Sequence, residues 1–280
     1  MRLRIATVLV GHERQVYLEK ARKIDALLSA TVPNAVREMV IVDNARPRIE
    51  FERVDESTVI VGGDNSLREF SAWDRGLAQL ERTRSNPDLV HFATSAYDAL
   101  YSSYLECFDA RLLAASLAAR AVVGHVDYYD DPVEVVGRAS QPWLRTSYFF
   151  VPMEAVRAIR SMVSFEDSGA LFTGDPARPF RQDAPVCERY QGYILSWLTG
   201  DGTGQGVVWH SRFDLTKETL PTFEAKAMAI VNEHLLSVRL REAGYPVVDV
   251  SWLAGRLVAG GVQEVEWNRP WQSQVAERPA

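Results

Sequence analysis

The stretch VIVGGDNSLREFSAWDRGLAQL, residues 59–80, decides the fold class. Its β-branched beginning predicts a buried strand, and the Gly-Gly pair after it permits positive φ angles and close backbone approach. Apolar residues then recur every three or four positions, which predicts a helix. These residues are Leu67, Phe70, Trp73, Leu77 and Leu80. A strand, a tight turn and a helix N-terminus together are typical of the anion-binding sites of α/β proteins.

Two local features of this stretch predict how its helix begins and packs. Ser66 followed by Glu69 matches a capping box, so we expect the helix to begin just after Ser66. Gly76 lies inside the helix, where glycine costs about 1 kcal/mol relative to alanine. A helix tolerates such a residue for close packing or for access to a ligand.

Composition restricts the class of protein. The chain has 280 residues and a formal net charge of −6, which argues against general nucleic-acid binding. Cys107 and Cys187 form no CxxC motif and fit a reducing compartment. No apolar run reaches the ~18 residues of a membrane span, and the N-terminus is typical of a strand rather than a signal peptide. We expect a cytoplasmic protein, with peripheral attachment to the inner face of the membrane left open.

The first half of the sequence alternates predicted strands with predicted helices. The strands are expected at Ile5–Val10, Met39–Val42, Val59–Val61 and Leu89–Thr94, and a helix is expected from about Gln15 to Ala30. This order predicts an α/β fold with a mostly parallel central sheet and helices on both faces. Ligands of such sheets bind outside the carboxyl ends of the strands.

Polar residues follow the carboxyl ends of these predicted strands. They are Gly11–His12, Asp43–Asn44, Gly63–Asn65 and Thr94–Asp98. Turn chemistry explains Asp43 and Asn44 about as well as ligand binding does, and helix capping is the alternative role at Gly63–Asn65 and for Asp98. We therefore expect one binding edge, whose individual residues each have a structural alternative.

Three short elements, in this order, carry a family resemblance. They are IVDNARP at residues 41–47, AWDRGL at 72–77 and RTSYF at 145–149. The pattern over roughly residues 3–200 resembles the GT-A glycosyltransferases, a Rossmann-type sandwich fold, and especially bacterial polysaccharide-synthesis enzymes of the rhamnan or O-antigen type. Asp74 stands where that family usually has Asn.

The resemblance implies a set of residues that bind a nucleotide-diphosphate sugar. Asp43, Asn44, Asn65 and Arg68 would hold the nucleotide, while Asp98 and Arg145 would face the diphosphate or the sugar. The full set of expected contacts is Asp43, Asn44, Asp64, Asn65, Arg68, Arg75, Thr94, Ser95, Asp98, Arg145 and His210. Arg75 has a solvated helix position as its alternative reading, and His210 has a structural role as its alternative.

The sequence departs from the family at the metal site. GT-A enzymes usually carry a D-x-D motif after the fourth strand, whose carboxylates hold a divalent cation against the diphosphate. Here that position reads ATSAYDAL, residues 93–100, with Asp98 as its one carboxylate. We expect no metal site and no certain cofactor. The alternative is a Mn²⁺ or Mg²⁺ ion bound elsewhere, for instance at His210.

An inverting transfer needs a carboxylate that removes the proton of the acceptor hydroxyl. The family places this acid before a late helix, and FRQDAPVCERYQGYI at residues 180–194 offers Asp183 and Glu188 in that setting. The segment SFEDSGA offers Glu166 and Asp167. Asp183 is the first choice, although a solvated loop position explains any one of these carboxylates.

We therefore expect a glycosyltransferase that moves a sugar from a nucleotide-diphosphate donor to a glycan or lipid-linked acceptor in cell-surface polysaccharide synthesis. The expected GT-A-like catalytic domain spans 1–265, with a nucleotide-binding half at about 1–125 and an acceptor half at about 126–265. Residues 266–280 are expected to be a disordered tail. A nucleotidyltransferase, or a non-catalytic nucleotide-sugar-binding or scaffold protein of the same fold, remains the alternative. The sequence does not predict the oligomeric state.

Overall fold

The computed structural model describes residues 2–99, 102–200 and 213–279. Its strands are β1 (Arg4–Gly11), β2 (Val36–Asp43), β3 (Phe51–Arg53), β4 (Thr58–Gly62), β5 (Leu89–Thr94), β6 (Val122–Val135), β7 (Arg138–Pro152) and β8 (Val247–Asp249). Its helices are α1 (Arg14–Thr31), α2 (Arg68–Arg82), α3 (Ala110–Ala118), α4 (Met153–Ile159), α5 (Glu188–Thr199), α6 (Leu220–Glu242), α7 (Val250–Ala259) and α8 (Trp271–Ala276).

The strands form one sheet in the order β3-β4-β2-β1-β5-β7-β6-β8. Strand β1 pairs in parallel with β2 and β5, β2 with β4, and β6 with β8, whereas β3 and β7 are antiparallel to β4 and β5. Helices cover both sides of the sheet. The predicted class, a mixed α/β fold with a mostly parallel sheet, is confirmed.

The four predicted strands of the first half correspond to β1, β2, β4 and β5, and the predicted first helix corresponds to α1. Strands β3 and β8 were not predicted, because three-residue strands are too short to show an alternating pattern. Strand β4 lies on one side of β1, and β5, the next strand along the chain, lies on the other side. The strand order therefore reverses at β1. In open α/β sheets this reversal point, at the carboxyl ends of the strands, is where ligands bind.

The chain divides into two compact units. The first unit is Met1–Asp127, Leu144–Met162 and Arg239–Ala280, and the second unit is Tyr128–Trp143 and Val163–Val238. These units are not the contiguous halves expected from the sequence, because the end of β7 and the C-terminal segment belong to the first unit. The assignment of acceptor binding to 126–265 stays a prediction.

Aromatic rings fill much of the core of the first unit. Trp73 on α2 meets Phe70, Phe92 and Phe149 edge-on at centroid distances of 5.2, 5.5 and 5.6 Å. The SYFF run, residues 147–150, is fully buried from Tyr148 to Phe150. The close packing of these rings holds β5, β7 and α2 together beneath the carboxyl edge of the sheet.

The start of α2 differs from the predicted capping box. The helix begins at Arg68, and Ser66 does not cap it; instead the Leu67 N–H donates to Ser71 Oγ at 3.0 Å. Gly76 serves close packing, because a Cβ there would lie 2.2 Å from Cγ1 of Val8 on β1. The small residue lets α2 approach the sheet.

The C-terminal segment contains structure where the sequence predicts disorder. Residues 266–280 include α8, and Gln274 on that helix is 3% exposed. Its Oε1 accepts a hydrogen bond from the Asp249 N–H at 2.8 Å. A polar, proline-containing tail reads as disordered from composition, but contacts with a distant strand end order it.

The second unit has an aromatic core of its own. Tyr129 stacks on Tyr193 at 4.4 Å, and Trp143 stacks on His234 at 4.3 Å, with Tyr190 beside them. Val135 bridges to Val186 and joins the end of β6 to the segment before α5. In the part of the chain that the structure describes, no helix combines the length and the apolar character needed to cross a membrane.

Candidate functional site

Asp43, the last residue of β2, is a buried carboxylate with three hydrogen-bond donors. Its Oδ2 accepts from the Tyr17 hydroxyl at 2.9 Å and lies 3.1 Å from Arg46 Nε. Its Oδ1 accepts from the Ala45 N–H at 2.9 Å. A carboxylate has about four acceptor sites, so these contacts use three of them. Asp43 is 3% exposed, and it anchors the start of α1 and the loop after β2 to the sheet.

Arg46 extends this contact outward to a more exposed ion pair. Its Nη1 donates to Glu52 at 2.9 Å, and Arg14 at the start of α1 donates to both oxygens of the same carboxylate at 2.8 and 2.5 Å. The two guanidinium groups hold the pKa of Glu52 down at about 2. Burial and the hydrogen bond to Asp43 raise the pKa of Tyr17 above its ordinary value. We define the Asp43 network as Asp43, Tyr17, Arg46, Glu52 and Arg14.

Asn44 ties three strand ends together. Its backbone N–H donates to Gly11 O at 2.9 Å, and its side-chain amide donates to Asn65 Oδ1 at 3.3 Å and to Arg68 O at 3.2 Å. Gly63 lies against it so closely that a Cβ there would fall 2.1 Å from Asn44 Oδ1. The glycine is therefore needed for the close approach that the sequence predicts at this turn.

The loop from β4 to α2 holds strained backbone and two unsatisfied polar atoms. Asn65 and Arg68 both have φ of +52°, a left-handed conformation that costs a non-glycine residue about 1–3 kcal/mol. Among the residues that the structure describes, Asn44 Oδ1 and Arg68 Nε are buried without a hydrogen-bond partner. An acceptor and a donor thus lie at one junction, which suits a polar ligand that offers both.

Asp64 and Arg75, also expected to touch a ligand, have partners within the protein. Asp64 accepts from the Ser66 N–H at 3.0 Å and from Arg48 at 3.0 Å. Arg75 donates to the carbonyl oxygens of Gly62 at 3.3 Å and Arg48 at 2.9 Å. Burial and the neighbouring Arg48 lower the pKa of Arg75. Both side chains brace the loop that carries Asn65 and Arg68.

At the end of β5, Asp98 pairs with two lysines of α1. Lys20 Nζ lies 2.5 Å from Oδ1 and Lys23 Nζ lies 3.6 Å from Oδ2. Burial opposes ionisation of this carboxyl group, but the lysines outweigh it and hold its pKa below the usual value. Thr94 and Ser95 lie beside it at the strand end, where the Ser95 N–H donates to Val10 O at 2.8 Å. This turn therefore joins the ends of β1 and β5.

Arg145 lies beyond the carboxyl end of β5, because Tyr148 of β7 pairs with Ala93 in antiparallel register. It forms a two-pronged ion pair with Asp127 of β6, in which Nε donates to Oδ2 at 3.0 Å and Nη2 donates to Oδ1 at 3.1 Å. His125 Nε2 lies 3.3 Å from the same carboxylate. Burial of Asp127 is outweighed by these two partners, which lower its pKa.

His125 also lies near a second carboxylate, which is buried and paired with an arginine. Its Nδ1 lies 3.9 Å from Asp249, a fully buried carboxylate that accepts from the backbone N–H groups of Val126 and Trp252 at 3.0 Å. Arg278 of the C-terminal segment lies 2.7 Å from Asp249. The Tyr104 ring stacks on His125 at 5.1 Å.

The four candidate bases lie in the second unit. Asp183 forms a two-pronged, exposed ion pair with Arg181 at 2.9 and 2.8 Å, which lowers the pKa of Asp183. Asp167 caps a short helical turn by accepting from the Ala170 N–H at 3.1 Å. Glu188 is exposed at the first position of α5, and Glu166 is also exposed. His210 lies outside the described residues.

The carboxylate at the D-x-D position does not suit a divalent cation in this structure. Asp98 already binds two ammonium groups, which would repel a divalent cation. Within the described ranges, no three His, Cys, Asp or Glu side chains lie close enough together to hold a metal ion.

The structure brings Asp43, Asn44, Asn65 and Arg68 to one junction, as the strand order predicts. It also shows polar residues that were missed: Tyr17, Arg46, Lys20, His125 and Asp127. His125 and Asp127 are two residues apart on one strand and therefore share a face of the sheet, a signal present in the sequence. Tyr17 and Lys20 had no such signal, because their partners lie on other elements.

Comparisons with known proteins give likenesses to solved structures but not to families or curated sequences. No protein-family model and no curated protein matches the sequence. A solved mannosyltransferase from Pyrobaculum calidifontis, in complex with GDP-mannose and Mn²⁺, is similar at 13% identity over 99% of this chain and 85% of that chain. The TM-score of this likeness is 0.34.

Proposed function

We propose that this protein is a glycosyltransferase that binds a nucleotide-diphosphate sugar at the carboxyl edge of β1, β2, β4 and β5. The observation that carries the proposal is the junction of Asn44 and Arg68. A buried acceptor, Asn44 Oδ1, and a buried donor, Arg68 Nε, lie there without a partner among the described residues. A nucleoside offers both donors and acceptors, and its binding would offset the strain of the left-handed residues in the loop.

In this proposal, different residues at the carboxyl edge contact the nucleoside, the diphosphate and the sugar of the donor. Asn44, Asn65 and Arg68 hold the nucleoside, while the Asp43 network keeps the loop after β2 in place. Asp98 and its lysines face the diphosphate, and Arg145 with Asp127 faces the sugar. Catalysis then rests on positioning and on stabilising the leaving diphosphate.

The acceptor is a glycan or a lipid-linked sugar of a cell-surface polysaccharide. Its hydroxyl oxygen attacks the anomeric carbon, the bond to the diphosphate breaks, and a carboxylate removes the hydroxyl proton. Asp183 remains the first candidate for this base, followed by Glu188 and Asp167. A base must be free of its counterion before it takes a proton, so Asp183 has to exchange its contact with Arg181.

The binding step is tested by thermal denaturation of the full chain with UDP, GDP, dTDP, ADP and CDP, each with and without Mn²⁺ or Mg²⁺. We expect one nucleoside diphosphate to stabilise the protein and its sugar ester to be turned over. Asn44→Ala should weaken that binding at least tenfold. Asn34→Ala is the matched control, because Asn34 is exposed and precedes β2 at the opposite edge of the sheet.

Two results would reject this function. If none of the nucleotides stabilises the wild-type protein, the donor site does not exist. If one binds but none of its sugar esters is transferred or hydrolysed, the chain is a binding protein of the same fold. For the base, Asp183→Asn, Glu188→Gln and Asp167→Asn should be compared under donor saturation, where the general base shows a large loss of kcat with donor affinity retained.

A further inference from the structure

The ion pair of Lys20 and Asp98 lies where the strand order reverses. Lys20 belongs to the helix that follows β1, and Asp98 belongs to the turn that follows β5. Strands β1 and β5 are neighbours, and the strand order reverses at β1, which has β2 and β4 on one side and β5 on the other. The pair therefore spans the crevice in which open α/β sheets bind their ligands.

Both partners are largely withdrawn from solvent, unlike the lysine beside them. The side chains of Lys20 and Asp98 are 18% and 22% exposed, whereas Lys23 is 52% exposed. An ammonium group has three N–H donors, and Lys20 directs one of them to Asp98 Oδ1. The other two can serve a phosphate oxygen while the first contact is kept.

The formal charges of the four side chains around this ion pair have the same sum as those of a metal site. Lys20 and Lys23 carry two positive charges, and Asp98 and Glu19, which pairs with Lys23 at 2.9 Å, carry two negative charges. A divalent cation held by two carboxylates has the same sum. The positive charge here sits on fixed side chains, so a bound cation is not needed to offset the charge of a diphosphate.

We propose that Lys20, supported by Lys23 and oriented by Asp98, binds the diphosphate of the donor in place of a divalent cation. This inference rests on the proposed function and deepens it. It assigns diphosphate binding to α1 and gives Asp98 a positioning role toward a lysine rather than a role as metal ligand.

The experiment is isothermal titration of the full chain with GDP and UDP, with the nucleosides guanosine and uridine, and with inorganic diphosphate. Each titration is done in EDTA and again in Mn²⁺. We expect the nucleoside diphosphate to bind equally well in both buffers. Lys20→Ala should weaken it at least tenfold and leave the nucleoside within twofold, while Lys20→Arg should restore most of the binding. Lys217→Ala, at an exposed lysine, is the control.

Asp98→Asn separates the two roles of the carboxylate. If Asp98 orients Lys20, removing its charge changes the diphosphate affinity to the same extent in EDTA and in Mn²⁺, because the contact with the ammonium group involves no metal ion. If Asp98 binds a metal ion, the same variant loses Mn²⁺-dependent affinity. Binding that requires Mn²⁺, or a Lys20→Ala protein that binds like the wild type, would overturn the inference and leave the proposed function standing. Absence of all nucleoside diphosphate binding would remove both.

Discussion

Arg278 Nη2 lies 2.7 Å from Oδ2 of Asp249, and the carboxylate is completely buried. The same guanidinium donates to the Val126 carbonyl oxygen. Arg278 thus neutralises the carboxylate of Asp249, which also lies beside His125 of β6. This contact links a segment that composition marks as a tail to the cluster that holds Arg145.

Arg278→Met should therefore destabilise the protein strongly. Removing one partner of a buried ion pair leaves an uncompensated charge and typically costs about 3–5 kcal/mol. Arg269→Met is the matched control, since Arg269 pairs with Glu266 and Glu277 near the surface, where a pair contributes about 0–1 kcal/mol. Urea denaturation measures both. Equal losses, or no rescue of Arg278→Met by Asp249→Asn, would contradict this account.

The Asp127–Arg145 pair predicts a loss of activity for a substitution that keeps the charge. Arg145→Lys cannot make the two-pronged contact and releases Asp127 toward His125. We expect kcat/KM to fall at least tenfold, about 1.4 kcal/mol, with an unchanged circular dichroism spectrum. Arg120→Lys is the control, because Arg120 contacts the exposed Glu154 through a single nitrogen. An active Arg145→Lys enzyme would show that the pair only supports the fold.

The Asp43 network predicts different effects for two neighbouring substitutions. Asp43→Ala should raise the donor Kd at least tenfold while the fold survives, because the loop after β2 loses its anchor. Tyr17→Phe removes one hydrogen bond and leaves the carboxylate paired with Arg46. It should cost about 0.5–1.5 kcal/mol of stability and leave the donor Kd within twofold. Unchanged donor affinity in Asp43→Ala would reduce Asp43 to a turn residue.

His91 predicts an acid-sensitive core. Burial lowers the pKa of His91 from 6.5 to about 3, and its ring stacks on Phe150 at 4.4 Å. The unfolded chain then binds this proton below about pH 6.5, whereas the folded protein does not until about pH 3. Stability should therefore fall as the pH decreases through this window.

The measurement is urea denaturation of the wild type and of His91→Gln between pH 7 and pH 4. The variant removes the titrating group, so its stability should fall less steeply with decreasing pH, by up to about 1.4 kcal/mol per pH unit. The comparison cancels the titration of the other groups. Parallel curves for the two proteins would show that His91 is protonated equally in both states.

Gly76→Ala should destabilise the protein although alanine favours helices. The added Cβ would fall 2.2 Å from Val8 Cγ1, and overpacking of a core typically costs about 1–3 kcal/mol. Val8→Ala removes the opposing methyl groups, so the double variant should be less destabilised than the sum of the single variants. A stable Gly76→Ala protein would mean that α2 can move away from β1.

Local pattern was enough to predict the elements that position the site. The apolar runs at β1, β2, β4 and β5 and the 3.6-residue period of α2 depend on neighbours along the chain, which the sequence displays directly. The parallel order followed from their alternation. Residues at strand ends, such as Asp43 and Asn44, could therefore be assigned to one edge before the structure was known.

The tertiary structure decided which polar groups far apart in the sequence became partners. Lys20 meets Asp98 across 78 residues, and the Val126 N–H meets Asp249 across 123, because strand order and helix placement bring them together. No periodicity along the chain reports such a pairing. For the same reason the C-terminal segment reads as a tail by composition, yet Gln274 and Arg278 are ordered by contacts with Asp249, a residue whose position depends on the assembled sheet.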